Sequence, residues 1–405
     1  MAREKRLIVL TGDVPSPPNH GHKVDQFYRW KAFAAAGWRL RLICWRSPQD
    51  PPVAAADEAV LRDVFESVDV LPIPHSAAAF ARRLVRLPRY PSHVASRIPD
   101  AATLARLTAD AKAFGPAAVV IDNIYGGVLG EALAAACRVP TIVRGHNIEH
   151  RYFAQQAAAT TSVRSKVAWN IARFGLERYE EGLIRRAAWT FDISADDVAF
   201  WQSRGIERIS WVPTVFPDAG AVTILPPGQK RWDVAYIGNL RLPNNLRGIG
   251  WFIDTVLPRI RALRPSISIV FAGANPSEEA LALFARVPDI ELVPNAPSAD
   301  GILANGRVLI NPILSGSGVN VKSIDMLRYD APIVTTRIGA QGFGAEVDGQ
   351  FQVRDDAEGF AQAVVAALDD PRAPAGRGEV RRLFGDVGIA KQIALVARVA
   401  GVQLG

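Results

Sequence analysis

Short apolar runs alternate with amphipathic stretches along most of the chain. The apolar runs predict strands, and the amphipathic stretch over 22–37 predicts the first of the helices between them. Alternation of this kind is typical of an α/β protein with a mostly parallel, doubly wound sheet. The predicted strands are 6–10, 39–45, 117–122, 141–147, 189–194, 233–238, 266–273, 290–294, 307–312 and 331–336.

A proline- and glycine-rich stretch over 213–232 interrupts the alternation and indicates an interdomain linker. We therefore predict two Rossmann-like domains, over 1–215 and 216–387. The amphipathic tail over 388–405 is predicted to pack back on the first domain. Open α/β sheets bind small ligands beyond the carboxyl ends of their strands. Two such domains are therefore expected to bind a ligand in a cleft between them.

Composition and charge limit the class of partner. The 405 residues carry a formal net charge of +7, which favours anionic partners such as nucleotides, phosphates or acidic lipid. The first residues contain too few consecutive apolar positions for a signal peptide, and no apolar run approaches the length of a membrane helix. These features predict a cytoplasmic protein, with contact to the inner face of a membrane as a further option.

The sequence SGSG ends the apolar run RVLINPIL, and a helical pattern follows it. Gly316 and Gly318 permit a turn whose free amides, with the helix dipole, would bind an anion. Lys322 adds a charge, and Asp325, three residues later, could accept hydrogen bonds from a ribose diol. The turn thus indicates a nucleoside diphosphate site. The alternative is an ordinary strand–turn–helix with a surface Lys–Asp pair.

The stretches AYIGNLRLPNN, SISIVFAGANP, VLINPILSGSGVNVKSIDMLRYD and APIVTTRIGAQGF resemble the nucleotide-sugar domain of retaining glycosyltransferases with the GT-B fold. The resemblance is closest to family 4, in bacterial members that build surface polysaccharides. It covers 233–343 and extends more loosely to PSPPNHG, RGHNIE and ISADD in the first half. It implies transfer of a sugar from a nucleoside-diphosphate sugar to a glycan or lipid-linked hydroxyl, with retention of configuration and without metal or cofactor.

The resemblance also implies individual residue roles in the second domain. Two acids of the family motif are altered, to Ser317 and Asp325, and the basic residues after the first strand of this domain are replaced near Asn239 and Asn244 or Asn245. Their charges would have to come from Arg241 and Lys322. The residues expected to bind the donor are Gly238, Asn239, Arg241, Ser317, Gly318, Val319, Asn320, Lys322 and Asp325, of which Lys322 also acts in catalysis.

In the first domain the resemblance matches His146 to a catalytic histidine that contacts the donor sugar. The alternative is a structural, hydrogen-bonded histidine. His146 with Glu149 and His150 does not have the spacing of a zinc motif, and the chain has no Asp-x-Asp sequence, so metal-independent chemistry is expected. The residues assigned to an acceptor or phosphate loop are His20, Gly21, Arg144 and Asn147.

A basic segment over 81–97 mixes arginines with apolar residues and suggests a membrane surface contact. Its alternative is a solvated basic face, whereas nucleic acid is not expected because no recognisable binding module surrounds it. Two other functions stay open, a sugar-nucleotide epimerase of the same fold and a catalytically weak nucleotide-binding protein. The arginines assigned to the membrane contact are Arg82, Arg83, Arg86 and Arg89.

Overall fold

The computed structural model describes residues 3–17, 21–74, 76–160, 162–216, 224–316 and 318–404. The chain divides into two compact units. Met1–Pro217 together with Asp386–Gly405 form the first unit, and Asp218–Gly385 form the second. The predicted linker includes residues 217–223, which lie outside the described residues, as do His20 and Ser317 of the predicted sites.

The first unit is built on a parallel sheet of seven strands in the order β3-β2-β1-β4-β5-β6-β7. Its strands are β1 (Arg6–Thr11), β2 (Arg39–Arg46), β3 (Ser67–Pro72), β4 (Ala118–Asp122), β5 (Thr141–Gly145), β6 (Trp189–Asp192) and β7 (Ile209–Trp211). Its helices are α1 (Gly21–Ala35), α2 (Ala55–Arg62), α3 (Ala77–Val85), α4 (Ala101–Phe114), α5 (Gly127–Cys137), α6 (Glu149–Ala159), α7 (Val163–Arg173), α8 (Leu176–Arg186) and α9 (Ala195–Ser203), with a 3-10 turn at Ile124–Gly126.

The second unit has a parallel sheet of six strands in the order β10-β9-β8-β11-β12-β13. The strands are β8 (Trp232–Ile237), β9 (Ile269–Gly273), β10 (Glu291–Pro294), β11 (Gly306–Asn311), β12 (Ile333–Thr335) and β13 (Phe351–Val353). The helices are α10 (Pro243–Trp251), a π-helical turn (Phe252–Val256), α11 (Leu257–Leu263), α12 (Glu278–Ala285), α13 (Asp300–Leu303), α14 (Val321–Met326), α15 (Ala357–Asp369) and α16 (Arg377–Leu383), with 3-10 turns at Pro227–Gln229 and Ala345–Val347.

The last helix, α17 (Asp386–Ala400), belongs to the first unit. Its apolar residues recur every three to four positions, and Ile389, Ile393 and Val396 pack in the same core cluster as Trp30 and Phe33 of α1. Burying each of these aliphatic side chains contributes roughly 1.5–3 kcal/mol, which holds the helix on this unit.

Each sheet reverses its strand order once, between β1 and β4 in the first unit and between β8 and β11 in the second. The loops that follow these strands diverge at such a point, because their helices leave to opposite faces of the sheet. The segments after β1, β4 and β5, and those after β8 and β11, therefore supply the candidate site residues of the two units.

Three strands were missing from the sequence prediction, namely Ser67–Pro72, Ile209–Trp211 and Phe351–Val353. All three lie at sheet edges. An edge strand is covered less completely than a central one, so it lacks the continuous apolar run that marked the central strands. β1 and β4, in contrast, are buried along nearly their whole length.

Candidate active site

The glycine turn after β11 leads into a short helix in the second unit. Gly318 adopts a φ of 67°, in the left-handed region that favours glycine. Helix α14 begins at Val321, two residues later than the sequence indicated. Asn320 occupies the N-cap, but its side chain does not accept a hydrogen bond from the helix. No side chain among the described residues thus caps α14; the Ser323 amide donates to the Asn320 carbonyl at 3.0 Å, which leaves the Val321 and Lys322 amides to bind an acceptor.

A buried hydrogen-bond network holds this turn in place. The Asn311 Nδ2 atom donates to Asn320 Oδ1 at 3.1 Å and to Ser323 Oγ at 2.9 Å. Ser323 Oγ donates to the Gly339 carbonyl at 2.6 Å, and Thr335 Oγ1 donates to the Asn311 carbonyl at 2.8 Å. The side chain of Asn320 is therefore occupied by Asn311, which explains why it leaves the helix amides uncapped.

Lys322 is a part-buried cation that has no carboxylate partner in the described part of the chain. Its Nζ donates to Asn245 Oδ1 at 2.6 Å and lies 3.4 Å from the Tyr236 hydroxyl, with the Tyr236 ring centroid 5.4 Å away. Among the described residues no carboxylate pairs with it, and burial lowers the pKa of Lys322 to about 7. Burying a charge without a partner is costly, so this position favours an anion supplied from outside the protein.

Asp325 does not pair with Lys322, since no ion pair joins them in the described chain, and the alternative of a surface Lys–Asp pair is wrong. Burial raises the pKa of Asp325 to about 6, nearby Asp300 adds to the effect, and Arg328 opposes it. The Asp325 carboxylate has no hydrogen-bond partner in the described residues. It is therefore available to a ligand hydroxyl, as the ribose assignment requires.

The turn after β8 is held mostly by its own hydrogen bonds. The Gly238 amide donates to the Ala272 carbonyl at 3.0 Å. The Gly238 amide is therefore used within the fold, and contact of Gly238 with the donor stays a prediction. Asn239 Oδ1 accepts from the Arg241 amide at 2.9 Å and so fixes the turn. Arg241 is exposed, and its guanidinium has no partner in the described part of the chain.

The sequence interpretation missed a second basic residue, Arg247, beside the glycine turn. Its guanidinium donates to Asn244 Oδ1 and, at 2.8 Å, to Ser315 Oγ. Arg247 is the fifth residue of α10, and Lys322 is the second residue of α14. In both cases a cation lies in the helix that follows a strand-end loop, and this pattern is the sequence signal that could have found Arg247. Lys322 and Arg247 thus contact Asn245 and Asn244, the region in which asparagines replace the basic residues of the family pattern.

His146 lies at the end of β5 in the first unit and is nearly buried. Its Nε2 lies 2.7 Å from Asp122 Oδ1 and 3.0 Å from an Arg144 nitrogen. Burial and the Arg144 charge lower the pKa of His146, although Asp122 opposes this. The imidazole is therefore neutral near pH 7. These contacts fit the structural alternative for His146, and contact with a donor sugar stays a prediction.

Arg144 is fully buried and cannot contact an acceptor or phosphate, so its assignment to the ligand loop is corrected. It donates to Asp122 Oδ1 at 2.7 Å and also to Asp25. Asp25 in turn accepts from Arg29 at 2.7 Å, and Trp30 Nε1 donates to Asp122 at 2.9 Å. The positive charges of Arg29 and Arg144 are thereby balanced by the negative charges of Asp25 and Asp122 inside the core. The network ties β4 and β5 to α1.

The loop after β1 keeps polar groups at the surface. Gly21 begins α1, and His22 on that helix lies 2.9 Å from Asp13 Oδ2, with the Lys23 ammonium 3.9 Å from the same oxygen. Burial alone would raise the pKa of Asp13, but His22 and Lys23 lower it on balance. Asn147, after β5, is partly exposed. Gly21 and Asn147 thus keep their assignment to the loop region as a prediction.

Glu149 was set aside at the sequence level, but its environment is unusual. It is buried at the start of α6, and the Tyr125 hydroxyl donates to its Oε2 at 3.2 Å. Arg97 stacks on Tyr125 at 4.4 Å and donates to the Gly12 carbonyl at 2.5 Å. Burial and then the neighbouring Glu180 raise the pKa of Glu149 to about 7. The sequence signal that could have identified Glu149 is its position four residues before the apolar Phe153, which places both side chains on one face of the helix.

We expect Glu149→Gln to stabilise the first unit more at pH 8 than at pH 4.5. The folded protein binds the Glu149 proton more tightly than the unfolded chain, so wild-type stability falls as the pH rises from 4.5 to 7. Glutamine removes this titration, worth at most about 3 kcal/mol at 1.36 kcal/mol per pKa unit. Thermal unfolding at both pH values measures the difference. The exposed Glu207→Gln is the control, and an equal effect in both variants would contradict the assignment.

No group of three His, Cys, Asp or Glu side chains in the described ranges is arranged to hold a metal ion. His146 is engaged by Asp122, and His150 Nδ1 lies 2.7 Å from Glu180 Oε2. Metal-independent chemistry stays a prediction.

The first comparison with known proteins concerns the second unit. Residues 231–370 match the family model described as glycosyl transferases group 1. The matched segment runs from β8 through α15, so it includes all six strands of the second sheet and the glycine turn. The turn, Lys322 and Asp325 therefore lie within the segment that matches this family model.

One curated relative matches along most of the chain. It is an uncharacterized 44.6 kDa protein in the cps region of Klebsiella pneumoniae, 24% identical over 368 residues, which cover 89% of this chain and 90% of the relative. The likeness thus spans both units at a similar overall length.

Solved structures establish the fold of both units. HepE of Anabaena, crystallised with UDP, aligns with a TM-score of 0.64 at 12% identity over 98% of this chain and 100% of HepE. Sucrose-phosphate synthase of Thermosynechococcus elongatus aligns with a TM-score of 0.63 at 14% identity over 98% of each chain. The expected GT-B fold is confirmed, and the family match supports a glycosyltransferase. Family 4 membership stays a prediction.

Proposed function

We propose that the protein transfers a sugar from a nucleoside-diphosphate sugar to a hydroxyl of a glycan or lipid-linked acceptor, with retention of anomeric configuration. The observation that carries this proposal is Lys322, a part-buried ammonium with no carboxylate partner among the described residues, on a helix whose N-terminus no side chain caps. A diphosphate supplies the anionic charge that this position lacks.

On the donor side, the diphosphate binds Lys322 and the amides of Gly318 and Val319. Arg241 and Arg247 supply further positive charge at the exposed edge, and Asp325 accepts from the ribose hydroxyls. As the glycosidic bond breaks, negative charge grows on the departing diphosphate, and the fixed amides and ammonium stabilise it. The assigned contacts of Asn320 and Ser317 with the donor belong to the same proposal.

UDP is the first nucleotide to test. HepE was crystallised with UDP and, separately, with UDP-glucose, which supports a uridine diphosphate donor for a chain of the same fold. The relative from the cps region of Klebsiella pneumoniae supports a role in bacterial polysaccharide or glycoconjugate synthesis.

On the acceptor side, we propose that the polar groups after β1 and β5 recognise the incoming hydroxyl. Asp13 and Glu149 are the acids in this region, and neutral His146 tolerates the positive charge that develops on the sugar ring. Attack from the same face as the leaving group, with the departing phosphate taking the acceptor proton, accounts for retention without a covalent intermediate.

A panel of nucleotide sugars tests the function. Incubated without acceptor, the protein is expected to release the nucleoside diphosphate slowly from at least one of UDP-glucose, UDP-galactose, UDP-N-acetylglucosamine, GDP-mannose and ADP-glucose. Chromatography measures both the nucleotide and the sugar. Conversion of the sugar without release would instead show an epimerase. Nucleotide binding with neither reaction would show a catalytically weak binding protein, and either result overturns the proposal.

A further inference from the structure

Two segments of the first unit contain no acidic residue and pack against each other. They span residues 70–99 and 151–176. The His93 Nε2 atom lies 3.2 Å from the Ile171 carbonyl. Gly175 sits so close to the Pro91 carbonyl that any side chain there would collide with it. These contacts join α3 and the loop after it to α7, so the two segments form one continuous surface, which we call the α3–α7 face.

Large apolar side chains protrude from the α3–α7 face. Val85 is 80% exposed, Val163 78% and Phe174 66%. An open groove of about 510 Å³ runs between the two segments. Its lining is almost entirely apolar and consists of Leu84, Leu87, His93, Val163, Val167 and Phe174, among others. A patch of this kind on a folded protein marks a docking surface, because exposing it to water is unfavourable.

Cations surround the apolar residues, and no carboxylate of these two segments offsets them. Arg86 and Arg89 are exposed beside Val85, and Lys166 lies in the groove. Arg83 is partly engaged, since it donates to the Pro74 carbonyl at 2.8 Å. Two further arginines of these segments, Arg97 and Arg151, are engaged elsewhere, by Tyr125 with Gly12 and by Phe200. The cationic residues left for the face are Arg82, Arg83, Arg86, Arg89, Arg164, Lys166 and Arg173.

We propose that the α3–α7 face docks the protein on an anionic phospholipid bilayer. Val85, Val163 and Phe174 enter the interface, and the surrounding arginines bind the lipid phosphates. A second copy of this chain is disfavoured as the occupant, because a two-fold contact would bring two acid-free cationic faces together. The structure thus adds an apolar groove between α3 and α7 to the basic residues on which the sequence had placed the contact.

None of the helices in the described ranges combines the length and the apolar character of a membrane-spanning segment. Docking through the α3–α7 face does not depend on sugar transfer, so the following test can fail without affecting the proposed function.

Flotation with lipid vesicles tests the proposal. Wild-type protein is expected to float with vesicles of phosphatidylcholine and phosphatidylglycerol at a 7:3 ratio, and to bind pure phosphatidylcholine far less. Arg82→Ser/Arg86→Ser should weaken partition about 25-fold, since each arginine near an anionic surface contributes roughly fivefold. Val85→Asp/Phe174→Asp should abolish flotation, because carboxylates replace the inserted apolar groups.

Matched variants control for total charge and total apolar surface. Arg286→Ser/Arg372→Ser lowers the net charge equally, and Leu263→Asp/Leu281→Asp changes two exposed leucines, all in the second unit. Both controls should float better than the α3–α7 variants. Equal loss in controls and α3–α7 variants, or unchanged flotation of Val85→Asp/Phe174→Asp, would refute docking through this face. Wild-type dimers that Val85→Asp/Phe174→Asp dissociates, without vesicle binding, would identify a second copy as the occupant.

Discussion

Replacing Lys322 by methionine is expected to lower the rate of nucleoside diphosphate release at least about 100-fold without destabilising the second unit. Removing one preorganised donor to a developing oxyanion typically costs 10²–10³ in rate. Methionine has a similar length, so it leaves little cavity. The release assay on the active nucleotide sugar measures the rate, and thermal unfolding without ligand measures stability.

Stability should in fact rise at pH 6–7 in this variant. The folded protein binds the Lys322 proton less tightly than the unfolded chain, because burial lowers the pKa from 10.5 to about 7. The cost of burying the ammonium is therefore fully present below pH 7 and disappears as the pH rises towards 10.5. Wild-type stability should climb over that range, and Lys322→Met should not show this climb.

Lys230→Met is the matched control. Lys230 is another half-buried lysine of the second unit; burial lowers its pKa to about 8, and its Nζ donates to the Asp330 carbonyl at 2.8 Å. It precedes β8 and so lies at the N-terminal ends of the parallel strands, whereas the glycine turn follows the C-terminal end of β11. The control should retain turnover.

Proton uptake gives a second readout of the Lys322 role. At pH 8 wild-type protein should take up close to one proton on binding UDP, and Lys322→Met none, as measured by titration calorimetry in buffers of different ionisation enthalpy. If Lys322→Met kept both the turnover and the proton uptake of the wild type, the proposed function would lose its basis.

Replacing Arg144 by methionine is expected to destabilise the first unit by about 3–5 kcal/mol. The substitution removes one partner of a buried pair and leaves Asp122 without its cation. Asp25 keeps Arg29 and the Val215 amide, which donates to it at 2.7 Å. Hydrogen exchange resolved by mass spectrometry should show faster exchange of the β4 and β5 amides, while the second unit serves as an internal reference.

Arg62→Met distinguishes this effect from the loss of any arginine. Arg62 is exposed and pairs with Glu58 along one face of α2 at 3.1 Å. Exposed pairs contribute about 0–1 kcal/mol, so exchange in this variant should match wild type. If Arg144→Met left exchange unchanged but weakened ligand binding, the original assignment of Arg144 to the ligand loop would be restored.

The sequence predicted the elements around the site better than the environments of the site residues. Central strands such as β1, β4, β9 and β11 are buried on both faces, so their apolar runs were visible directly. The glycine turn was also predictable, because Gly318 adopts a backbone conformation that few other residues accept. Edge strands such as β3 and β13 lacked the continuous run and were missed.

The sequence alone determined the alternation of strands and helices, and hence two parallel sheets with Lys322, Asp325 and His146 placed near strand ends. Only the tertiary structure decided the electrostatic environment of each residue. Arg144 is neutralised by Asp25, 119 positions away, whereas Lys322 meets Asn245, 77 positions away, and finds no carboxylate. Whether a charged side chain is neutralised within the fold or stays available to a ligand depends on contacts between residues that are far apart in the sequence. Local sequence patterns do not contain this information.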